Sequence, residues 1–139
     1  MIALARTVDR LVEQTRCFES VPRADLQRGD CVIVTTENSI YVIQVLDGSN
    51  YSISGGWFDR QGLSPARTSI AGCTWGGSAI KRDTVATCGL RLEFGNRVVT
   101  SRIRQILLVR AGAGGIDLRP VRAAELFQAC YAALRAASS

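Results

Sequence analysis

The stretch CVIVTTENSIYVIQVLDGSNYSISGG, residues 31 to 56, constrains the fold more than any other. Two apolar, β-branched runs, Cys31 to Thr35 and Ile40 to Leu46, are separated only by a short polar gap around Glu37-Asn38-Ser39. Runs of this length and composition are strands, and so short a gap makes them a hairpin. Asp47-Gly48-Ser49-Asn50 is a second turn, after which Tyr51 and Ile53 begin a third strand. The spacing therefore predicts an antiparallel meander.

Upstream, residues 2 to 16 carry Leu4, Val8, Leu11, Val12 and Thr15 at three- and four-residue spacing, with Arg6, Asp9, Arg10, Glu13 and Arg16 on the other side. That periodicity predicts an amphipathic helix. FESVPRADLQ reads as a connector, because Pro22 holds Val21 extended. Downstream of the meander, GGWFDRQGLSPARTSIAGCTWGG holds six of the thirteen glycines and both tryptophans, and is read as loop with some strand around Arg67 to Cys73. Residues 84 to 94 alternate as one strand, Gly95-Asn96 form a turn, and residues 97 to 109 return. After AGAGG, residues 119 to 137 predict a second helix, with Pro120 in its first turn and an apolar stripe of Val121, Phe127, Cys130, Tyr131 and Leu134.

A small sheet bracketed by two helices is stable only if it closes or is covered. The expected fold is therefore α+β in one domain, 1–139: an antiparallel β-barrel, SH3-like or similar, of five to six strands over about 29–110, flanked by the two helices. Leu26-Gln27-Arg28-Gly29-Asp30-Cys31-Val32-Ile33-Val34 resembles the opening of many unrelated small barrels, in which a Gly-Asp turn launches the first strand. The resemblance implies a fold and no activity.

No apolar run reaches the roughly 18 to 20 residues needed to cross a bilayer, and charges interrupt the start of the chain. No membrane association is expected, and the cytoplasm is the expected compartment. There the five cysteines stay reduced, and their spacing of 14, 42, 15 and 42 residues contains no C-x-x-C pair for a metal. The chain has no histidine, the commonest general base and the usual orienting member of nucleophilic triads, and its single lysine is Lys81. A non-enzymatic protein with no metal and no cofactor is expected.

Charge is uneven: residues 81 to 122 hold nine basic side chains against three acidic ones, and the remainder is close to neutral. Within this region FGNRVVTSRIRQILLVR carries Arg97, Arg102, Arg104 and Arg110, and Arg91 precedes it. Such a set is a candidate nucleic-acid interface. Because 16 of the 17 basic residues are arginine, compositional bias is the simpler explanation of the excess. Alternation also fails between Arg104 and Leu108; a turn at Thr100-Ser101-Arg102 would restore it, pointing Ile103 and Ile106 inward and leaving Leu107 to Arg110 as a final strand. A second candidate site is aromatic. Trp57, Phe58 and Trp75 all lie close to glycines, either as core or as anchors for a small molecule or peptide.

Three functions follow as expectations. The leading one is a binding or assembly module that pairs with another protein or with itself as a homo-oligomer, through the Ala-rich second helix or a strand edge. The others are nucleic-acid binding through the arginines and a pocket at the tryptophans.

Overall fold

The computed structural model describes residues 15–47, 49–76 and 79–110, together with Glu125, Phe127, Gln128, Tyr131 and Ala132. Eleven strands fill the first three of these ranges: β1 (Thr15–Phe18), β2 (Ser20–Pro22), β3 (Cys31–Thr36), β4 (Ile40–Asp47), β5 (Asn50–Gly55), β6 (Ala66–Thr68), β7 (Ile70–Gly76), β8 (Ala79–Lys81), β9 (Thr84–Thr87), β10 (Arg91–Phe94) and β11 (Val99–Val109). One five-residue helix, α1 (Gly56–Arg60), follows β5, and a 3₁₀ turn covers Arg23–Asp25.

Nine strands form one antiparallel sheet in the order β6-β5-β4-β3-β11-β10-β7-β8, with β1 also paired to β11. This corrects the expected fold. The sheet is open, ending at β6 and β8, and the described residues are essentially all-β rather than a closed barrel of five to six strands between two helices. Thr15 and Arg16, assigned by periodicity to the first helix, are strand residues paired with Val109 and Leu108. Residues 1–14 lie outside the described residues, as does most of the 119–137 segment, where Glu125, Phe127, Gln128, Tyr131 and Ala132 are helical.

β3, β4 and β5 form the meander, and its first turn is tied by Thr36, whose N–H and Oγ1 donate to the Ser39 carbonyl at 2.8 and 3.1 Å. One face of this meander, with Val34, Ile43 and Ile53, joins the core. Ile33, Val42 and Leu107 are buried on the opposite face, in register across β11, β3 and β4. Burial on both faces explains why Cys31 to Val34 is a continuous apolar run rather than an alternating one.

The expected single strand over 84 to 94 is two strands. Gly89 adopts φ +89° and breaks the run, and its N–H donates to the Ile103 carbonyl at 2.8 Å. β9 then pairs with β2 in a separate two-stranded sheet, and β10 joins β7 and β11. The β2–β9 ribbon brings Val21, Val85 and Ala86 onto the core. Arg23, just after β2, fastens this ribbon to the main sheet: its guanidinium donates to the Ile70 and Arg82 carbonyls at 2.9 Å each and to Tyr51 Oη at 3.3 Å.

β11 runs unbroken for 11 residues. The expected turn at Ser101 is instead two β-bulges. Between the pairs Arg91↔Arg102 and Glu93↔Val99, β11 holds one residue more than β10; between Ile103↔Thr36 and Gln105↔Thr35, Arg104 is the extra residue. Each bulge resets the alternation by one position. Thr100, Ile103 and Ile106 are therefore all buried at three-residue spacing.

Candidate functional site

The five arginines expected to act together do not form one stripe. Leu92 and Phe94 face the core, so Arg91 and Glu93 occupy the opposite side of β10. Directly across the ladder from Arg91 stands Arg102, and on its other flank stands Thr74 of β7. The two guanidinium-bearing residues are thus Cα partners, a like-charge pair of the kind that destabilises a sheet. Arg104, exposed at the second bulge, lies next along the same side of β11.

Glu37, from the β3–β4 turn, borders this group. Its Oε1 accepts the Arg102 backbone N–H at 3.2 Å, and its Oε2 lies 3.5 Å from Arg104 Nη2. Both partners of that ion pair are well exposed, so it contributes little and leaves the Arg104 charge available to a ligand. Glu93 is the second acid on this side.

Arg97 and Arg110 stand apart. Arg97 lies in the β10–β11 turn with φ +70°, at the far end of β10 from the Arg91–Arg102 pair, and is exposed. Arg110 is committed to a buried acid: its Nη1 donates to Asp30 Oδ2 at 2.8 Å and to the Asp25 carbonyl at 2.6 Å. Asp30 is buried and also accepts the Gln27 N–H at 2.9 Å. The Gly-Asp turn before β3 is thereby anchored to the end of β11, a structural duty for Arg110.

The three aromatic residues are likewise divided. Phe58 is core, with its ring edge-on to Phe94 and Trp57 at centroid distances of 5.0 and 5.2 Å. Trp57 is half-buried against this cluster. The Gly55-Gly56 pair makes the arrangement possible: a Cβ on Gly56, at φ +45°, would overlap the Tyr41 ring, whose Oη accepts the Trp57 N–H at 3.2 Å. Asp59 Oδ1 accepts the Gly55 N–H at 2.9 Å and closes the knuckle.

Trp75 is elsewhere. It lies five residues along β7 from Ile70, which pairs with Phe94, the ring that Phe58 meets, so it stands toward the other end of β7 from the aromatic knuckle. At 61% it is the most exposed of the large apolar side chains described. The three aromatics therefore do not converge on one pocket.

The thiols divide by burial. Cys31 and Cys73 are buried, Cys88 is half-buried and Cys17 is exposed. Burial pushes the Cys73 thiol above its ordinary pKa. For Cys88 burial again leads, with the neighbouring Cys17 and Glu19 adding to the upward shift. A raised pKa keeps a thiol protonated and poorly nucleophilic. Among the described residues no group of three His, Cys, Asp or Glu side chains is arranged to hold a metal ion, and no helix is long and apolar enough to cross a membrane.

Sequence reading missed Glu37, Thr74 and Arg23. Glu37 and Thr74 reach the arginines only through strand pairing, and Arg23 meets Ile70 and Arg82 across 47 and 59 residues of chain. No local signal marks them. No protein-family model, curated protein or solved structure matches the chain.

Proposed function

We propose that the chain is a non-enzymatic β-module that binds a polyanion, nucleic acid as the ligand class, on the side of β10–β11 carrying Arg91, Arg102 and Arg104. The observation behind this reading is the Arg91–Arg102 pair. A like-charge pair directly across a ladder costs stability in the free protein. A phosphate held between the two guanidinium groups removes that cost, with charge-assisted hydrogen bonds to its oxygens. Arg104 extends the positive side along β11, and Glu37 at 3.5 Å is its only exposed ion-pair partner among the described residues.

The chain has no histidine, and Lys81 is its one lysine, which supports the non-enzymatic half of the reading. Self-association through either end of the main sheet path has less to recommend it. The two path ends, β6 and β8, are three residues each and carry Arg67 and Lys81, features that blunt an edge against pairing. The Ala-rich helix offered as an assembly surface lies mostly outside the described residues.

Fluorescence polarisation with a labelled oligonucleotide at low salt tests the proposal. Binding in the micromolar range is expected, weakening with salt at a log-log slope of about −2 for three neutralised phosphates. Flat titrations at low salt overturn it.

A further inference from the structure

Trp75 is displayed rather than merely left exposed. Between the pairs Thr74↔Ile80 and Gly76↔Ala79 of the β7–β8 ladder, β7 holds one residue more than β8, and that extra residue is Trp75. Its neighbours lock the bulge. Thr74 Oγ1 donates to the Ala79 carbonyl at 2.7 Å and accepts the Gly76 N–H at 3.0 Å, while Gly76 takes φ +106°, a conformation that favours glycine. The Thr-Trp-Gly triplet thus fixes an indole outside the core. Bulges of this kind re-aim a side chain and are enriched beside binding sites.

The bulge adjoins the arginines. Thr74, which pins it, is the Cα partner of Arg91, and Arg91 is the partner of Arg102. With strands about 4.8 Å apart, Thr74 and Arg102 are roughly 10 Å from one another, with Arg91 between them. Trp75 directly follows the cross-strand partner of Arg91, and an exposed ring beside guanidinium groups supplies the two parts of a single-strand site: cations for phosphates and a ring for a base. Phosphates are offered by any nucleic acid or by inorganic polyanions, whereas a base presents its free face only when unpaired.

Resting on the polyanion reading, we infer that the ligand is single-stranded nucleic acid, with one base stacked on Trp75 while Arg91 and Arg102 hold the adjoining phosphates. Trp57, half-buried against Phe58, is not part of this site.

The test uses the full chain and three probes: a thymidine oligonucleotide of roughly twenty nucleotides, the duplex of the same length, and heparin. In a Trp57→Phe background, in which Trp75 is the sole tryptophan, the oligonucleotide is expected to quench emission and heparin to bind without quenching. Trp75→Ala is expected to weaken oligonucleotide binding roughly tenfold, leave heparin and duplex binding unchanged, and be largely rescued by Trp75→Phe. If the oligonucleotide and heparin bind but Trp75→Ala changes nothing, or emission does not respond, the stacking inference fails and the polyanion reading stands. If neither probe binds at low salt, both fail.

Discussion

Arg91 and Arg102 are Cα partners across the β10–β11 ladder, two like charges set opposite each other on the side of the sheet away from the core. A sheet gains nothing from this arrangement. Cross-strand pairs of opposite charge contribute a few tenths of a kcal/mol to about 1 kcal/mol, and like charges subtract a comparable amount. The pair is therefore a local conflict with the stability of the sheet, and such conflicts concentrate at functional sites. Its neighbours soften it only in part: Glu37 takes the Arg102 backbone N–H rather than its guanidinium.

Arg91→Gln separates the two demands. Removing the charge at 91 is expected to leave stability unchanged or raise it by a few tenths of a kcal/mol in low-salt urea titrations. Polyanion affinity should fall, and the salt dependence should become shallower by about 0.7 to 0.9 in log-log slope, the loss of one phosphate contact. A variant that binds as the wild type does removes Arg91 from the interface.

Arg110→Ala is expected to do the opposite. Its guanidinium meets the buried Asp30 carboxylate at 2.8 Å and the Asp25 carbonyl, so truncation weakens the pairing of a carboxylate that water barely reaches. Half of the Arg110 side chain is solvated, which reduces the penalty from that of a fully buried pair to about 2 kcal/mol. Urea denaturation should register the loss, while the salt slope of binding by the folded fraction stays at the wild-type value. A shallower slope instead assigns Arg110 to the binding surface.

These two arginines show what the sequence made legible. The turns of the β3–β4–β5 meander are written in adjacent residues, such as Thr36 to Ser39, and local chemistry suffices to read them. The loss of alternation after Ile103 was equally visible, but a turn and a pair of one-residue bulges produce the same three-residue spacing of Thr100, Ile103 and Ile106. Only the partners β10 and β3 distinguish them. Whether the sheet closed, which strands lay at its ends, and that Arg110 faces Asp30 from 80 residues away all depend on nonlocal pairing. The same holds for the tryptophans. Their glycine neighbours looked alike, yet Gly56 lets Trp57 pack near Tyr41 whereas Gly76 helps hold Trp75 out of the core.

Gly56→Ala tests the aromatic knuckle. The added methyl group would overlap the Tyr41 ring, and the positive φ of 45° costs an alanine about 1 to 2 kcal/mol by itself. Because Tyr41 also contacts Phe58 and Phe94, the ring has little room to retreat. A total loss of about 3 kcal/mol is expected in urea titrations, with near-ultraviolet circular dichroism reporting the displaced aromatic rings. Gly62→Ala serves as the comparison. It shares a positive φ of 68° but has open space around its Cβ, so its loss should stay near the backbone term alone. Equal losses at the two sites would mean that the close approach to Tyr41 contributes nothing.

The buried Cys73 thiol makes stability fall in alkaline solution. Its Sγ lies 3.7 Å from the Val85 carbonyl, and burial raises its pKa above the ordinary thiol value. In the unfolded chain the thiol ionises near pH 8.5, so above that pH the unfolded state binds fewer protons than the native state. The thiol's contribution is therefore complete below about pH 8.5 and is lost as pH rises toward the raised native value. For one such thiol the slope approaches 1.4 kcal/mol per pH unit within that window. Cys73→Ala is expected to be less stable at neutral pH, because it leaves a cavity, yet to lose less stability than the wild type between pH 8.5 and 10. Urea titrations in the presence of reductant measure both chains. Parallel stability profiles across that range would show that titration of Cys73 is not what weakens the fold.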